Sequence, residues 1–528
     1  MFSIDQNCNT LWDCIPKLQA LARAGHRPTH FLEDIDVAFT ALGSDVDSHD
    51  VCLARERHHR SGGADWGAAL FYSEFLGRLP VEIRDWEELT GLKSNTLAKQ
   101  LGTDLDDLFD RYSPGDNWQL IGSSYVGDRE HHRVIGDLSV AECEEHLRKL
   151  MDTAREDMLR AFPAEDCAER TLSWFEGETD RLNGWLAEVR NEPLVELYRL
   201  WVRHYLHEGA YIELTGNLCS TRDAILSRHM LELFATRYDE VSSLYNRAIE
   251  QTGVKVHPLS PGDGELPFFA TMQYRGRMVR TGARLEGATL VVDNIEADTS
   301  KGIDAALEQL HRGGVMALAG KAVVLVVQAR LAQGGAPLVL PHRGSLYTPA
   351  SDRFVELLVD QGLLREKLHP ILRVRFHLLD RLGELDIPVA LPRHLAEALG
   401  QDVVSSKELA SSWRGLRDGR DVVQREQFGD LVTRIESLKQ KQKELGKSGA
   451  PHEQMRAVWD EVKSLQAKLL QETVDLIDRD WQLAEVDYWD SRGAIMPWCI
   501  AAGGQAFYSH VLDNAELIEE PVPEGLHP

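Results

Sequence analysis

The chain has 528 residues, of which 43% are hydrophobic and 27% charged. That composition fits a folded protein of several domains and excludes wholesale disorder, collagen-like repeats and disulfide-framework classes. Asp and Glu number 84 against 58 Lys and Arg, a formal charge of −26; such a field repels phosphate and argues against a nucleic-acid partner.

The first residues hold no basic segment followed by an apolar run, so no secretory signal is expected. No stretch approaches the roughly 18 uninterrupted apolar residues of a membrane span. The expectation is a cytoplasmic protein with no membrane partner. The seven cysteines are scattered, without a Cys-x-x-Cys pair; neither a zinc knuckle nor a dithiol redox motif follows, and thiols in a reducing compartment are expected.

Residues 1–208 read as a mainly helical region. Trp12, Ile15, Leu18 and Leu21 form one apolar face, Trp66, Leu70, Phe71 and Phe75 a second, and Leu97, Leu101, Leu105 and Leu108 a third. A small strand hairpin is expected from 118–126 and 132–138. Helices follow at 141–162, 167–189 and 194–206. The character then changes. Tyr211–Leu214 is strand-like, a long helix is expected at 221–251, and short strands at 254–258, 266–272, 277–281 and 289–292 are set off by Gly and Pro. A helix is expected at 303–310. Ala322–Val327 is a continuous run rich in β-branched residues and reads as a strand buried on both faces. Leu338–Leu340 and 387–391 read as further strands, with helices at 352–362 and 364–382. This alternation predicts an α/β core over 209–418.

At 419–486, Phe428, Leu431, Ile435, Leu438, Gln442 and Leu445 recur at spacings of three and four. Met455, Val458, Val462, Leu465 and Leu469 do the same beyond a Gly446–Pro451 turn. The pattern predicts an antiparallel coiled-coil hairpin. Residues 487–528 include Pro497, Trp498, Phe507 and Tyr508, a segment apolar enough to pack back on the core.

No His-Glu-x-x-His, Walker A or Gly-x-Ser-x-Gly motif is present. The richest polar stretch follows the expected strand at 322–327. It holds Arg330, Gly334, Gly335, His342, Arg343, Ser345 and Tyr347. Ligands of open α/β sheets bind beyond the carboxyl ends of strands. There Arg330 or Arg343 would grip a carboxylate or phosphate, His342 would move a proton, and the glycines would admit close approach. The alternative is a solvent loop whose glycines serve turn geometry. Thr215-Gly216-Asn217 forms a second such loop, with simple helix capping as its alternative. Gly503-Gly504-Gln505 is a third polar and glycine-rich cluster.

The order of features resembles a family. A strand ending in Thr215-Gly216 is followed by a helix containing Tyr245-Asn246, then by Leu266-Pro267-Phe268-Phe269 and Tyr274–Arg277. After these come Gly334-Gly335 and Tyr347, and then the heptad hairpin. This resembles, over residues 209–517, the cysteine-adding enzyme of bacillithiol synthesis and its uncharacterised bacterial relatives. The resemblance implies a Rossmann-like parallel-sheet core, a C-terminal coiled coil and a ligase-type condensing activity in thiol or specialised biosynthesis. That activity would join an amino acid or other small carboxylate to a small acceptor. The resemblance carries over Gly334, Gly335 and Tyr347; on the reading of the loops themselves His342 would be the catalytic acid/base, Arg330 and Arg343 would bind the anionic group, and Thr215, Gly216 and Ser345 would stand around the substrate. The family's Thr-Gly-His-Gln is here Thr215-Gly216-Asn217, without the histidine, and no cofactor is implied by the residues. The alternative is a non-catalytic scaffold that pairs with a partner, or with a second copy as a homodimer, through the hairpin.

Overall fold

The computed structural model describes residues 1–36, 99, 131–206, 211–391, 401–484, 495–522 and 526, apart from 5–10, 13, 224, 255, 343, 344 and 346. The helices expected around 66–76 and 97–109 and the strand at 118–126 lie outside the described residues, save Lys99.

In chain order the first strands are β1 (Phe2–Ile4), β2 (Thr29–Leu32), β3 (His132–Arg133) and β4 (Tyr211–Leu214). Then come β5 (Glu265–Tyr274), β6 (Arg277–Glu286), β7 (Thr289–Val292), β8 (Ile295–Asp298) and β9 (Val315–Gly320). The last are β10 (Leu338–Pro341), β11 (Ile371–Arg375), β12 (Pro388–Ala390), β13 (Val403–Ser405) and β14 (Glu516–Glu520).

Two sheets organise the chain. The first runs β4-β2-β1-β10-β11-β14. Its first five strands are parallel, and β14 closes the edge antiparallel to β11. The second is an antiparallel meander, β8-β7-β6-β5-β9, to which β3 adds by pairing with β6. The parallel sheet therefore takes its central strand and one neighbour from the N-terminal region, which the sequence had assigned to helices.

Both faces of the parallel sheet are covered. On one, Ile4, Phe31, Leu338, Leu340 and Ile371 pack under Val326 and Ala329. On the other, Leu32, Val339 and Val374 join a large cluster with the helices Ile15–Arg23, Val140–Ala161, Glu165–Glu188, Leu194–Leu206 and Ile495–Asp513. Pro16 stands in the first turn of its helix, where a missing N–H costs nothing and the ring pre-sets φ. Ser139 and Glu142 close a reciprocal capping box at the start of the Val140–Ala161 helix. Among the described residues no helix is long and apolar enough to cross a membrane.

The run Ala322–Val327, expected as a strand, belongs to a helix, Ala322–Arg330. It is apolar on all sides because it is wedged between two cores: Val326 and Ala329 face the parallel sheet, whereas Val323, Val324 and Val327 join the cluster that fills the antiparallel layer. A second correction concerns 364–382. Pro370 disfavours the helical region for its predecessor, and Ile371–Arg375 becomes the strand β11 between β10 and β14. The helix expected at 221–251 is two, Ile225–Thr236 and Tyr238–Thr252, broken at Arg237. The described residues of 254–258 form an irregular connection, and His132–Arg133 pairs with β6 rather than within a local hairpin.

Near the C-terminus the helices Ser406–Lys447 and His452–Ala484 run back along one another from a short turn at 448–451. Phe428, Ile435, Leu438, Val458, Val462 and Leu469 meet in one cluster, flanked by Leu431 and Leu465. Arg434 pairs with Glu461 across the helices at 2.8 Å. Ile435 is 4% exposed, so Ile435→Ala should cost about 2–5 kcal/mol. Chemical denaturation of the full chain, followed by circular dichroism, reads this directly. A cost below about 0.5 kcal/mol, the range of surface sites, would show that the seam is not buried.

Candidate functional site

Because the five strands are parallel, their carboxyl ends share one edge of the sheet. At that edge the chain leaves β2 through Glu33–Asp36, β4 through Thr215-Gly216, β10 through His342–Tyr347 and β11 through Phe376-His377. Strands lie about 4.8 Å apart, so the exits of β4 and β10, three steps from each other, are separated by about 14 Å. Ligands of open α/β sheets bind outside such an edge.

The β4 end is tied to the β2 end. Thr215 is fully buried, and its hydroxyl donates to Leu32 O at 3.1 Å and lies 3.4 Å from Glu33 Oε2. The Gly216 N–H donates to Asp34 Oδ1 at 2.7 Å. A Cβ at Gly216 would sit 2.6 Å from Asp34 Oδ2 and 3.0 Å from Ile35, so only glycine allows this approach. The same segment anchors the antiparallel sheet: Leu318 N–H donates to Cys219 O at 2.9 Å, and Ser220 bridges to Ala317. The acidic loop reaches that sheet as well. Asp36 pairs with Arg280, whose guanidinium lies 3.8 Å from the centre of the Phe269 ring. The N–H groups of Ile135 and Gly136 donate to the carbonyls of Asp36 and Asp34. Glu33, Asp34 and Asp36 therefore form an acidic rim held by both layers. Sequence reading missed it, although the apolar Phe31-Leu32 followed at once by Glu33-Asp34-Ile35-Asp36 is the available signal once 29–32 is seen as a strand.

At the β10 end, the His342 N–H donates to Val374 O at 3.0 Å. Ser345 adopts φ +53° and its carbonyl accepts from the Thr348 N–H, which opens the helix Thr348–Asp360. Arg373, 6% exposed, fixes this exit from behind: it donates to Pro341 O at 3.2 Å and Thr348 Oγ1 at 2.8 Å, and pairs with Glu520 at 2.7 Å. Tyr347 packs between the two apolar clusters. Arg343 lies outside the described residues.

Thr215, Gly216, His342, Ser345 and Tyr347 thus share the carboxyl edge. Arg330, Gly334 and Gly335 do not. They precede β10 and lie at its amino end, about 13 Å of strand away. Arg330 is 1% exposed, pairs with Asp352 at 2.6 Å and donates to His369 O at 2.8 Å; it locks the Ala322–Arg330 helix to its neighbours. Gly334, at φ +83°, and Gly335 make the turn that ends this helix, with Gly335 N–H on Leu331 O and Ala336 N–H on Ala329 O, each at 2.9 Å. β10, itself expected from the sequence as a strand, is what separates the two halves of that polar stretch.

Among the described residues, no group of three His, Cys, Asp or Glu side chains is arranged to hold a metal ion. No protein-family model matches the chain, and no curated protein matches it.

Burial pushes the Asp34 carboxyl above the ordinary aspartate range, against the pull of the Gly216 N–H and the charge of Arg199. An acid raised in the folded state holds its proton more tightly there. Its contribution to stability is therefore present below its unfolded value and lost as pH rises through the folded one. Asp34→Asn keeps an acceptor for Gly216 and removes the charge. The stability of the variant minus that of the parent should rise over the interval that begins near about pH 4, the ordinary aspartate value. Urea denaturation across that interval tests the sign, and a flat or falling difference refutes it. Gly335→Ala, whose Cβ would run into the Leu331 and Ala329 carbonyl oxygens, should lower the melting temperature by several degrees, equivalent to at least about 1 kcal/mol. An unchanged melting temperature would show that the turn yields.

Proposed function

We propose that the chain is a ligase-type condensing enzyme with a Rossmann-like core and an antiparallel coiled-coil hairpin, joining an amino acid or another small carboxylate to a small acceptor. One observation carries the reading: numbered along the chain, the five parallel strands stand in the order third-second-first-fourth-fifth. In that arrangement the direction of winding reverses between β1 and β10, and ligands bind outside the carboxyl ends at this switch point. The acidic rim of Glu33, Asp34 and Asp36 stands on one side of it and His342 on the other. His342 transfers a proton as carboxylate and amine condense with loss of water, and holding both substrates in one crevice supplies effective concentration.

Two features narrow the chemistry. The residues after β1, Asp5-Gln6-Asn7-Cys8-Asn9-Thr10, contain no glycine, so the dinucleotide fingerprint is missing. The histidine of the resembling family's Thr-Gly-His-Gln is also missing, and Thr215 and Gly216 serve to join β4 to the β2 loop. The proton-handling role therefore passes to His342.

The test is direct. The full chain is incubated with each common amino acid and an amino-sugar acceptor, with and without a nucleoside triphosphate. Mass spectrometry then looks for a product at the summed mass less one water. A product is expected from the parent, and His342→Ala should slow its formation about 10²–10⁴-fold. No product from any pair, or equal rates in the variant, overturns the reading.

A scaffold reading has one observation in its favour. Trp459, 44% exposed on the second hairpin helix, carries the Lys463 ammonium 3.8 Å above its ring. Under that reading, light scattering should show self-association that is lost on deleting 421–484, and a monomer in both chains removes it.

A further inference from the structure

A second concavity, of about 730 Å³, opens among the helices Glu165–Glu188, Leu194–Leu206 and Ile495–Asp513. That volume falls within the range of small-molecule sites, about 300–1,000 Å³. None of its lining residues stands at the carboxyl edge of the parallel sheet.

Its chemistry starts from Glu178, whose side chain is 3% exposed. Three donors converge on this carboxylate: Trp12 Nε1 at 2.9 Å, the Tyr205 hydroxyl at 2.5 Å, and Arg181 Nη1. Both carboxylate oxygens are engaged, so Glu178 acts as an anchor. It tethers Arg181 by one nitrogen. Among the described residues the Nε and Nη2 edge of that guanidinium has no partner, and Arg181 lines the cleft. A guanidinium held on one side and open on the other is pre-organised for a bidentate carboxylate.

The walls suit a flat apolar body. Trp174, Tyr205, Met496 and Ile500 all line the cleft, and the Arg181 guanidinium lies 5.9 Å from the centre of the Tyr205 ring. Trp174 is braced by Trp12 at 5.4 Å and Phe175 at 4.8 Å between ring centres. A break in a helix also lines it: Gly504, at φ 74° and ψ −171°, interrupts Ile495–Asp513. The Ala502 carbonyl beside the break accepts from Arg170 Nη2 at 3.1 Å. Arg170 Nε is buried without a partner. The mouth is kept open by Gly177, where an added Cβ would meet nothing within 4 Å.

The cleft therefore offers donors, and a ligand must bring acceptors. Asp166 already pairs with Arg170 at 2.9 Å, Glu178 pairs with Arg181, and Glu169 stands among the lining residues; the lining carries no surplus positive charge, so a ligand's single carboxylate would be met by the open edge of Arg181 alone and a second one would go unmet. We propose that this cleft binds a small planar monocarboxylate, its carboxylate on the open edge of Arg181 and its ring between Trp174 and Tyr205.

Benzoate is the probe and benzamide its neutral counterpart, each titrated calorimetrically into the full chain. Gly177→Leu tests the cavity itself. The added Cβ meets nothing within 4 Å, the longer side chain takes up space in the cleft, and glycine is replaced by a better helix former, so the melting temperature should hold or rise. Saturable benzoate binding is expected in the parent, at least tenfold weaker for benzamide, lost in Gly177→Leu and reduced at least tenfold in Arg181→Gln. If Arg181→Gln does not fold, Gly177→Leu alone decides. No saturable benzoate binding in the parent, equal binding of benzamide, or undiminished binding in Gly177→Leu overturns the proposal.

Discussion

The Ala322–Arg330 helix is the constraint on which the two sheets depend. It carries no hydrated face because it has none to spare: one side seals the parallel sheet and the other completes the core of the antiparallel layer. Its single charge, on Arg330, is buried and met by Asp352 and the His369 carbonyl. Removing one partner of such a pair leaves the other stranded in a low-dielectric interior, which is far more damaging than never having had the pair. Gln328 serves the same end. Its side chain accepts from Gly320 N–H at 3.1 Å and donates to Leu226 O at 3.3 Å, so backbone groups at the end of β9 and in the Ile225–Thr236 helix are satisfied where water does not reach.

That helix also shows where sequence reading stops. A short apolar run looks alike as a strand buried on both faces and as a helix buried all round, and periodicity does not separate them. Arg330, Gly334, Gly335 and His342 read as one polar cluster although a strand is expected at 338–340; that strand, β10, stands between them and sends them to opposite ends of the sheet. Strands bounded by strong punctuation, such as β4 and β10, were legible, as was the Gly446–Pro451 turn between two runs of heptad spacing. The central strand of the parallel sheet was not. Phe2–Ile4 is too short to show alternation, and its pairing with Leu338 is information that no local window holds. The acidic rim went unread for the same reason, since Glu33–Asp36 is only a charged turn until 29–32 is placed in a sheet.

The sheet edge and the cleft are built on different principles. At the sheet edge, negative groups are gathered by strand ends and tied to both layers through backbone donors. In the helical layer, one buried carboxylate is spent internally so that a cation beside it is presented outward. A site of the first kind is set by topology. The second is set by a hydrogen-bond network whose members come from residues 12, 178, 181 and 205, so its shape depends on several helices docking together.

The position of β1 has a consequence for how the chain acquires its structure. Phe2 pairs with Thr29 on one side and with Leu338 on the other. During synthesis at about 5–20 residues per second, tens of seconds separate the emergence of β1 from that of its second partner. Until then the middle of the future sheet has one open edge, an arrangement that invites pairing with foreign strands. The three-residue length of β1 limits that exposure, because so brief an edge offers few backbone groups to a stranger. The parallel sheet is therefore a late event, closed by the C-terminal half of the chain returning to a strand made at the start.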